Sequence, residues 1–416
     1  MSARVAVTGI GCVSCFGQGS HTFIDAILSG RSGIAPIDRF DATGCRSRRA
    51  ALLRDFNPGA FIPPLKLRRV DTVGQMTIVS AHLLFEDAGL PRESSGRDDT
   101  GIALGTATAG LDSLVEYLGG LTDRGPTGVP AILFSNTVSN APASLSAIEF
   151  GLRGPNVTFN QREASSLSAL AFGVAAIRQG RANAMVTGGA DCLEETYFQV
   201  HDRFGGLSPA RQRTGQEGEA ADEAARPFDR RHNGVVLGEG CFLVLLESSA
   251  SATARGARVY GEILGVGATA SKTALNRWPS TSDGLADAMQ LALCDAGLHE
   301  EEVAAVVAAA NGSPDLDALE CEAMRRVFGR SVPTASIKGA IGECGMAGAA
   351  GLVAGLLALA QGRLFPTAGL EDLDDALRVN ASNRPAPVEG SIFVLNSVAA
   401  GGTNYSIVVK AATTQV

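Results

Sequence analysis

Residues 154–190 read GPNVTFNQREASSLSALAFGVAAIRQGRANAMVTGGA, and the punctuation of this stretch decides the fold class. Residues 156–160 have the branched and aromatic content of a short buried strand. Residues 164–179 are apolar on every side, as expected of a helix enclosed by protein, and Gly180 stops that helix. A strand that runs directly into the N-terminus of a buried helix makes a sharp elbow, where free backbone N–H groups and the helix dipole favour negative charge. The residue at this elbow is Glu163, neither a thiol nor a hydroxyl and a poor acceptor of acyl groups.

The same order of elements returns later in the chain. Residues 332–336 are strand-like, 337–345 form a glycine-rich elbow, and 346–361 form a second helix apolar all round, stopped by Gly362. The repeat predicts an α/β chain of two duplicated halves, residues 1–249 and 250–416, with two buried helices meeting centrally. The elbows then open at the C-terminal ends of parallel strands, where open α/β sheets form their pocket. Residues 303–310 read as another buried strand with Asn311 at its end. Residues 391–396 and 405–410 read as two strands joined at Gly401-Gly402, with Ala400 at the start of the turn.

In the first half, residues 4–8 read as a buried strand entering a tight turn at Gly9-Ile10-Gly11. Dinucleotide binding is disfavoured there, because Ser14 holds the third glycine position and no acidic residue ends a second strand about 20 residues on. Residues 33–64 read as surface loops, 71–89 as a helix, 101–106 as a strand and 108–118 as a helix. Residues 129–150 read as a loop followed by another helix. Residues 207–229 read as a mobile polar loop, and 234–247 as a strand or strand pair buried on both faces. His232, in the charged turn before it, reads as an ordinary loop histidine.

The 416 residues exceed the usual single core, and 45% hydrophobic content with 50 glycines suits a well-buried α/β protein. A net charge of −8 without a basic cluster argues against nucleic acid and anionic membrane as partners. The eight cysteines are scattered through apolar segments, which points to reduced thiols in the cytoplasm. Only Cys12 and Cys15 have C-x-x-C spacing, and without a second pair or a nearby histidine no metal is expected. Glycines and Thr8 interrupt the apolar N-terminal run, which favours a strand and turn over a signal peptide. Residues 346–361 are shorter than the roughly 20 residues that span a bilayer.

The frame Gly-Pro-Asn, strand, elbow, apolar helix, Gly180, strand and Gly188-Gly189-Ala190 resembles the β-ketoacyl synthases, the condensing enzymes of the thiolase superfamily. RVAVTGIGCVS at 4–14, ARPFDRRHNGVVLGEG at 225–240 and NSVAAGGTN at 396–404 extend the resemblance over nearly the whole chain. It implies a thiolase-like fold of pseudo-symmetric halves in α-β-α-β-α layers. It also places Glu163 where that family carries its acyl-accepting cysteine. Asn311 and Glu343 stand where the family carries its two histidines, and Lys338 is retained. In the family, backbone N–H groups at the elbow and at the glycine turn form the oxyanion hole, here Glu163 and Ala400. Ala400 replaces a bulky aromatic gate, so the pocket mouth is expected to stand open.

Loss of the cysteine and both histidines together predicts that Claisen condensation does not occur on this chain. A carboxylate at the elbow would repel a malonyl carboxylate and a developing enolate, which disfavours a decarboxylase as well. Glu163 and Glu343 are expected to make structural contacts, held by Lys338, Arg162 or helix N-termini, because two facing carboxylates without a cation would push one pKa upward. The resemblance then points to a chain-length factor, which pairs with an active ketosynthase and helps to shape the tunnel for a chain carried on the phosphopantetheine of an acyl carrier protein. No cofactor of its own is expected. Thr108, Leu111, Asp112, Leu133 and Phe134 fall where that tunnel and the partner interface would lie. Two alternatives remain: an enzyme of altered chemistry using Glu163 and Glu343 or a nucleophilic Ser165 or Ser166, and a binding scaffold for an acyl carrier protein.

Overall fold

The computed structural model describes residues 4–91, 97–209, 222–329 and 332–413. The helices of nine residues or more are α1 (Ser20–Leu28), α2 (Thr72–Asp87), α3 (Leu111–Arg124), α4 (Ala141–Phe150), α5 (Ser165–Arg178), α6 (Glu195–Phe204), α7 (Asp283–Ala296), α8 (Pro314–Phe328) and α9 (Ala347–Leu359). Ten strands carry the architecture. They are β1 (Val5–Ser14), β2 (Thr100–Gly105), β3 (Asn156–Phe159), β4 (Ala184–Asp191) and β5 (Gly240–Ser248), then β6 (Gly261–Ala270), β7 (Ala305–Val307), β8 (Pro333–Ala335), β9 (Ile392–Val398) and β10 (Thr403–Ala411).

The duplication is visible in the strand order. The first half runs β3-β2-β4-β5-β1 and the second β8-β7-β9-β10-β6, so the strands of each half are ordered third, second, fourth, fifth, first. In both, the second strand is parallel to its two neighbours, and the remaining pairs are antiparallel. The halves join where Val5–Val7 of β1 pairs with Ile263–Gly261 of β6.

The layers follow from the period of two along each strand. Phe242, Val244 and Leu246 of β5 enter a central core with α5 and α9, whereas Cys241, Leu243 and Leu245 face α2. In the second half, Phe393 and Leu395 of β9 enter that central core, and Val394 and Val398 face α7 and α8. Helices α5 and α9 are thus sandwiched between two half-sheets and α2 and α7 cover the outer faces, a thiolase-like layering. Both buried helices end at glycines in the left-handed region, Gly180 (φ 68°) and Gly362 (φ 67°). They meet at Ser166, whose Oγ accepts from Ala349 N (3.1 Å).

The observed elements depart from the sequence reading in several places. Strand β1 runs straight through Gly9-Ile10-Gly11 without turning. These glycines make room for α2: a Cβ on Gly11 would fall 1.9 Å from the Ser80 carbonyl oxygen. Strand β3 is an edge strand, exposed or half-buried along its length, where a buried one was expected. Helix α3 starts at Leu111 rather than at residue 108, because Thr106 and Thr108 are drawn onto the buried Asp191. Of residues 234–247, only the part from Gly240 is strand. The loop expected at 207–229 lies partly outside the described residues. Cys12 and Cys15 are free thiols. Among the described residues, no helix is long and apolar enough to cross a membrane.

Candidate functional site

The two elbows face one cavity of about 710 Å³. Glu163, Asn311, Glu343 and Ala400 all line it. The sequence-predicted positions are therefore brought together from four separate segments.

At the first elbow, residues 162–164 form one turn of 3-10 helix ahead of α5, and Arg162 adopts a positive φ of 55°. This backbone is rare for a non-glycine residue and is fixed from outside the turn. Ser397 Oγ donates to the Glu163 carbonyl (2.9 Å), and the Arg162 guanidinium bonds Asn276 Oδ1. The Glu163 side chain does not reach freely into the cavity. Its Oε2 accepts the backbone N–H of Ala400 (3.1 Å), and Arg162 Nε stands 3.6 Å from the same oxygen. One of the two backbone donors expected to form an oxyanion hole is thus engaged by the chain's own carboxylate.

The second elbow holds its acid differently. Glu343 is 3% exposed, and its Oε2 accepts from Lys338 Nζ (2.7 Å) and from Asn311 Nδ2 (2.7 Å). Lys338 Nζ also donates to the Ala309 carbonyl (2.7 Å), and Glu343 Oε1 accepts from Cys344 N (3.1 Å). Burial pushes the Glu343 carboxyl above its ordinary range, Lys338 pulls it back down, and the charge of Glu163 across the cavity raises it again. Asn311 is itself fixed, its N–H donating to Asp317 Oδ1 (3.0 Å) and its Oδ1 accepting from Ser313 N (3.0 Å). Glu343, Asn311 and Lys338 therefore form one buried hydrogen-bonded set.

Three cavity residues carry no motif that would single them out in the sequence. Tyr197 and His201 project from α6 one turn apart, with ring centroids 4.1 Å apart. His201 Nδ1 donates to the Tyr197 carbonyl (2.9 Å), and burial lowers the imidazole pKa. Burial raises the Tyr197 hydroxyl, and burial raises the Cys344 thiol, which keeps that thiol protonated. A fourth group, Asp191, lies behind the wall. It accepts from Ala107 N (2.6 Å), Thr108 N (3.0 Å) and Met346 N (2.8 Å), tying the end of β4 to the approach to α9. The i, i+4 spacing of Tyr197 and His201 is the only signal that could have grouped those two.

The remaining candidates sit elsewhere. Ser165 and Ser166 are fully buried, and Ser165 Oγ bonds the Arg162 carbonyl (2.7 Å), so neither presents a hydroxyl to the cavity. Thr108 Oγ1 donates to Asp191 (3.1 Å). Asp112 Oδ1 accepts from Ser113 N (2.8 Å), in the first turn of α3. Leu111 and Leu133 are half-buried, and Phe134 is 63% exposed and packs on Tyr117. None of Thr108, Leu111, Asp112, Leu133 and Phe134 lines the cavity that holds Glu163. His232 bonds Asp317 Oδ2 through Nδ1 (3.1 Å) and lies outside the cavity lining.

The cavity can therefore hold a ligand, but among the described residues that line it no activated nucleophile stands ready. Comparison with known proteins places this geometry. The family model for the β-ketoacyl synthase N-terminal domain matches residues 2–252, and that for the C-terminal domain matches residues 260–371. The chain is 30% identical over 413 residues to 3-oxoacyl-[acyl-carrier-protein] synthase 2 of Vibrio harveyi, covering 98% of each. It is 32% identical over 369 residues to the actinorhodin polyketide putative β-ketoacyl synthase 2 of Streptomyces coelicolor, covering 88% of each. Among solved structures, the ishigamide ketosynthase/chain length factor matches with a TM-score of 0.90 at 30% identity, over 99% of this chain and 100% of that one. With both halves of the family model matched in order, this chain belongs to the β-ketoacyl synthase family.

Proposed function

We propose that this protein is a chain-length factor, a catalytically silent subunit that pairs with an active ketosynthase to elongate a chain carried by an acyl carrier protein. The observation that carries the reading is the state of the first elbow, where the Glu163 carboxylate is bonded to Ala400 N–H, at the position that the resemblance gives to the family's acyl acceptor. Lys338 and Asn311 hold Glu343 in a closed set. Among the described residues that line the cavity the thiol is Cys344, and burial keeps it protonated. The likeness to a ketosynthase/chain length factor structure supports the same reading.

Pairing needs a surface, and one is present beside the edge strand β3. Leu118, Leu121, Ile132, Phe134, Val138 and Ile148 are all exposed in the single chain. Segments 108–112 and 132–138 adjoin there, with Gly110 packed against the backbone of Asn136 and Thr137. Under this reading Thr108, Leu111, Asp112, Leu133 and Phe134 face the tunnel or the partner, and enlarging Leu133 shortens the product.

The test is intact-protein mass spectrometry after incubation of the purified full chain with acyl carrier protein thioesters. No acyl adduct is expected on this chain, whereas co-expression with its ketosynthase yields a complex and product. A stable adduct on Cys344 or any other residue ends the reading. Loss of turnover in the complex on Glu163→Ala, with assembly intact, favours altered chemistry at Glu163 instead.

A further inference from the structure

Glu163 makes an unusual contact for a side chain beside a cavity: its carboxylate turns back onto a backbone donor in the cavity wall. We infer that Ala400 N–H and the Arg162 guanidinium form a carboxylate-binding site that Glu163 fills from within the chain, so that removing this side chain opens the site to a free small carboxylate. The inference concerns binding, and it holds whether or not the chain is silent in acyl transfer.

Three observations support a site built independently of its occupant. The donor turn is held by its own bonds: Ala399 N to Thr403 O (2.8 Å), Gly401 N to Arg277 O (3.1 Å) and Gly402 N to Ala399 O (2.9 Å). The cation is held by Asn276, and the Glu163 backbone is held by Ser397, so neither depends on the Glu163 carboxylate. The third is access. The Glu163 side chain is 13% exposed, to a cavity with ample room for acetate.

The chemistry selects an anion. A backbone N–H and a guanidinium are both donors, and charge-assisted bonds to a carboxylate are about twice as strong as neutral ones. The N-terminal end of α5, immediately after this turn, adds positive potential at the same place. A neutral amide of the same shape would receive the hydrogen bond and lose the charge terms. Glu163 is tethered to its site, so a free carboxylate at millimolar concentration does not displace it.

The experiment compares thermal unfolding of the full chain, of Glu163→Ala and of Glu163→Gln in sodium acetate against sodium chloride at equal ionic strength. Glu163→Ala is expected to show a saturable rise in melting temperature of about 2 °C with acetate. The unsubstituted protein and Glu163→Gln, whose amide oxygen still accepts from Ala400, show none, and acetamide has no effect on any of them. Adding Arg162→Met to Glu163→Ala weakens acetate binding by about tenfold. Equal acetate shifts in all three proteins, or none in Glu163→Ala, overturn the inference. Should Glu163→Ala not fold, the Ala400 amide signal decides. In 15N-alanine-labelled protein, identified by its loss in Ala400→Gly, it shifts on the substitution Glu163→Gln, which puts a neutral acceptor in place of the carboxylate. A signal unmoved by that substitution equally overturns the inference.

Discussion

The two elbows of this molecule each place a glutamate on the same cavity, and they hold it by opposite means. Glu343 is enclosed, with Lys338 and Asn311 on one oxygen and the Cys344 N–H on the other, whereas Glu163 is partly open and bonded by a single backbone N–H with a cation at 3.6 Å. A duplicated scaffold has thus solved one problem twice, that of putting a negative charge where strand meets buried helix. The difference teaches where the energy lies. A carboxylate taken fully out of water depends on its cation, while one that still meets a cavity depends mainly on geometry.

Removing the cation at the second elbow should have the largest effect. Lys338 and Glu343 are 5% and 3% exposed at the side chain, so solvent screens the pair little. Lys338→Met leaves a buried carboxylate and is expected to cost about 3–5 kcal/mol in denaturant unfolding. The loss should shrink as pH falls and Glu343 takes up a proton. Adding Glu343→Met should recover most of it. A single-variant loss under about 1 kcal/mol would erase the contrast between the elbows.

Asp191 joins the two elbows from behind and ranks next. Asp191→Asn turns a donor toward Met346 N at one oxygen position and should cost about 1–3 kcal/mol. Burial raises this carboxyl from 3.8 to about 6. Because the folded value lies above the unfolded one, its contribution is complete below pH 3.8 and is lost as pH rises through about 6. Unfolding free energies across that window should therefore slope downward more steeply with pH in the unsubstituted protein than in Asp191→Asn.

Much of this architecture is legible in the sequence, and the rest fails for identifiable reasons. The two helices apolar all round, each stopped by a glycine, reveal the duplicated layers, because helices apolar on every face and too short to span a bilayer must be enclosed by protein. Gly9 and Gly11 mislead, since a glycine that admits a neighbouring helix looks in sequence like one that turns the chain. The exposure of β3 is invisible because composition does not say which strand lies at an edge. At the site, Glu163, Asn311, Glu343 and Lys338 are found through the resemblance to the family's motifs. The bond from Ala400 to Glu163 spans 237 positions and follows only from the packing of β9 beside the elbow. Tyr197 and His201 escape notice because neither belongs to a motif, and only the packing of α6 brings them to the cavity.

The first elbow should respond more mildly than the second. Glu163→Ala loses one bond to a backbone N–H that cavity water can replace, so about 1 kcal/mol is expected, with Glu163→Gln nearer to neutral. A loss as large as that of Lys338→Met would show that Glu163 is as dependent on its cation as Glu343, and the distinction between the two holding schemes would fail.

The smallest expected effect lies at the rim, where His232 meets Asp317. Burial lowers the imidazole pKa, but the bond to Asp317 and the charges of Asp317, Asp374 and Asp229 outweigh it, and the net shift is upward from 6.5. A raised histidine stabilises fully below its unfolded value and loses that contribution as pH rises through its folded one. Asp317 also accepts the N–H groups of Phe228 (2.9 Å), Asn311 (3.0 Å) and Gly312 (3.2 Å), so it keeps its place without the imidazolium. His232→Asn should therefore flatten the fall in stability above pH 6.5 by under about 1 kcal/mol and leave the Asn311–Glu343 bond in place. A change in the crystal position of Asn311 in that variant would mean that the rim, and not Asp317 alone, sets the geometry of the second elbow.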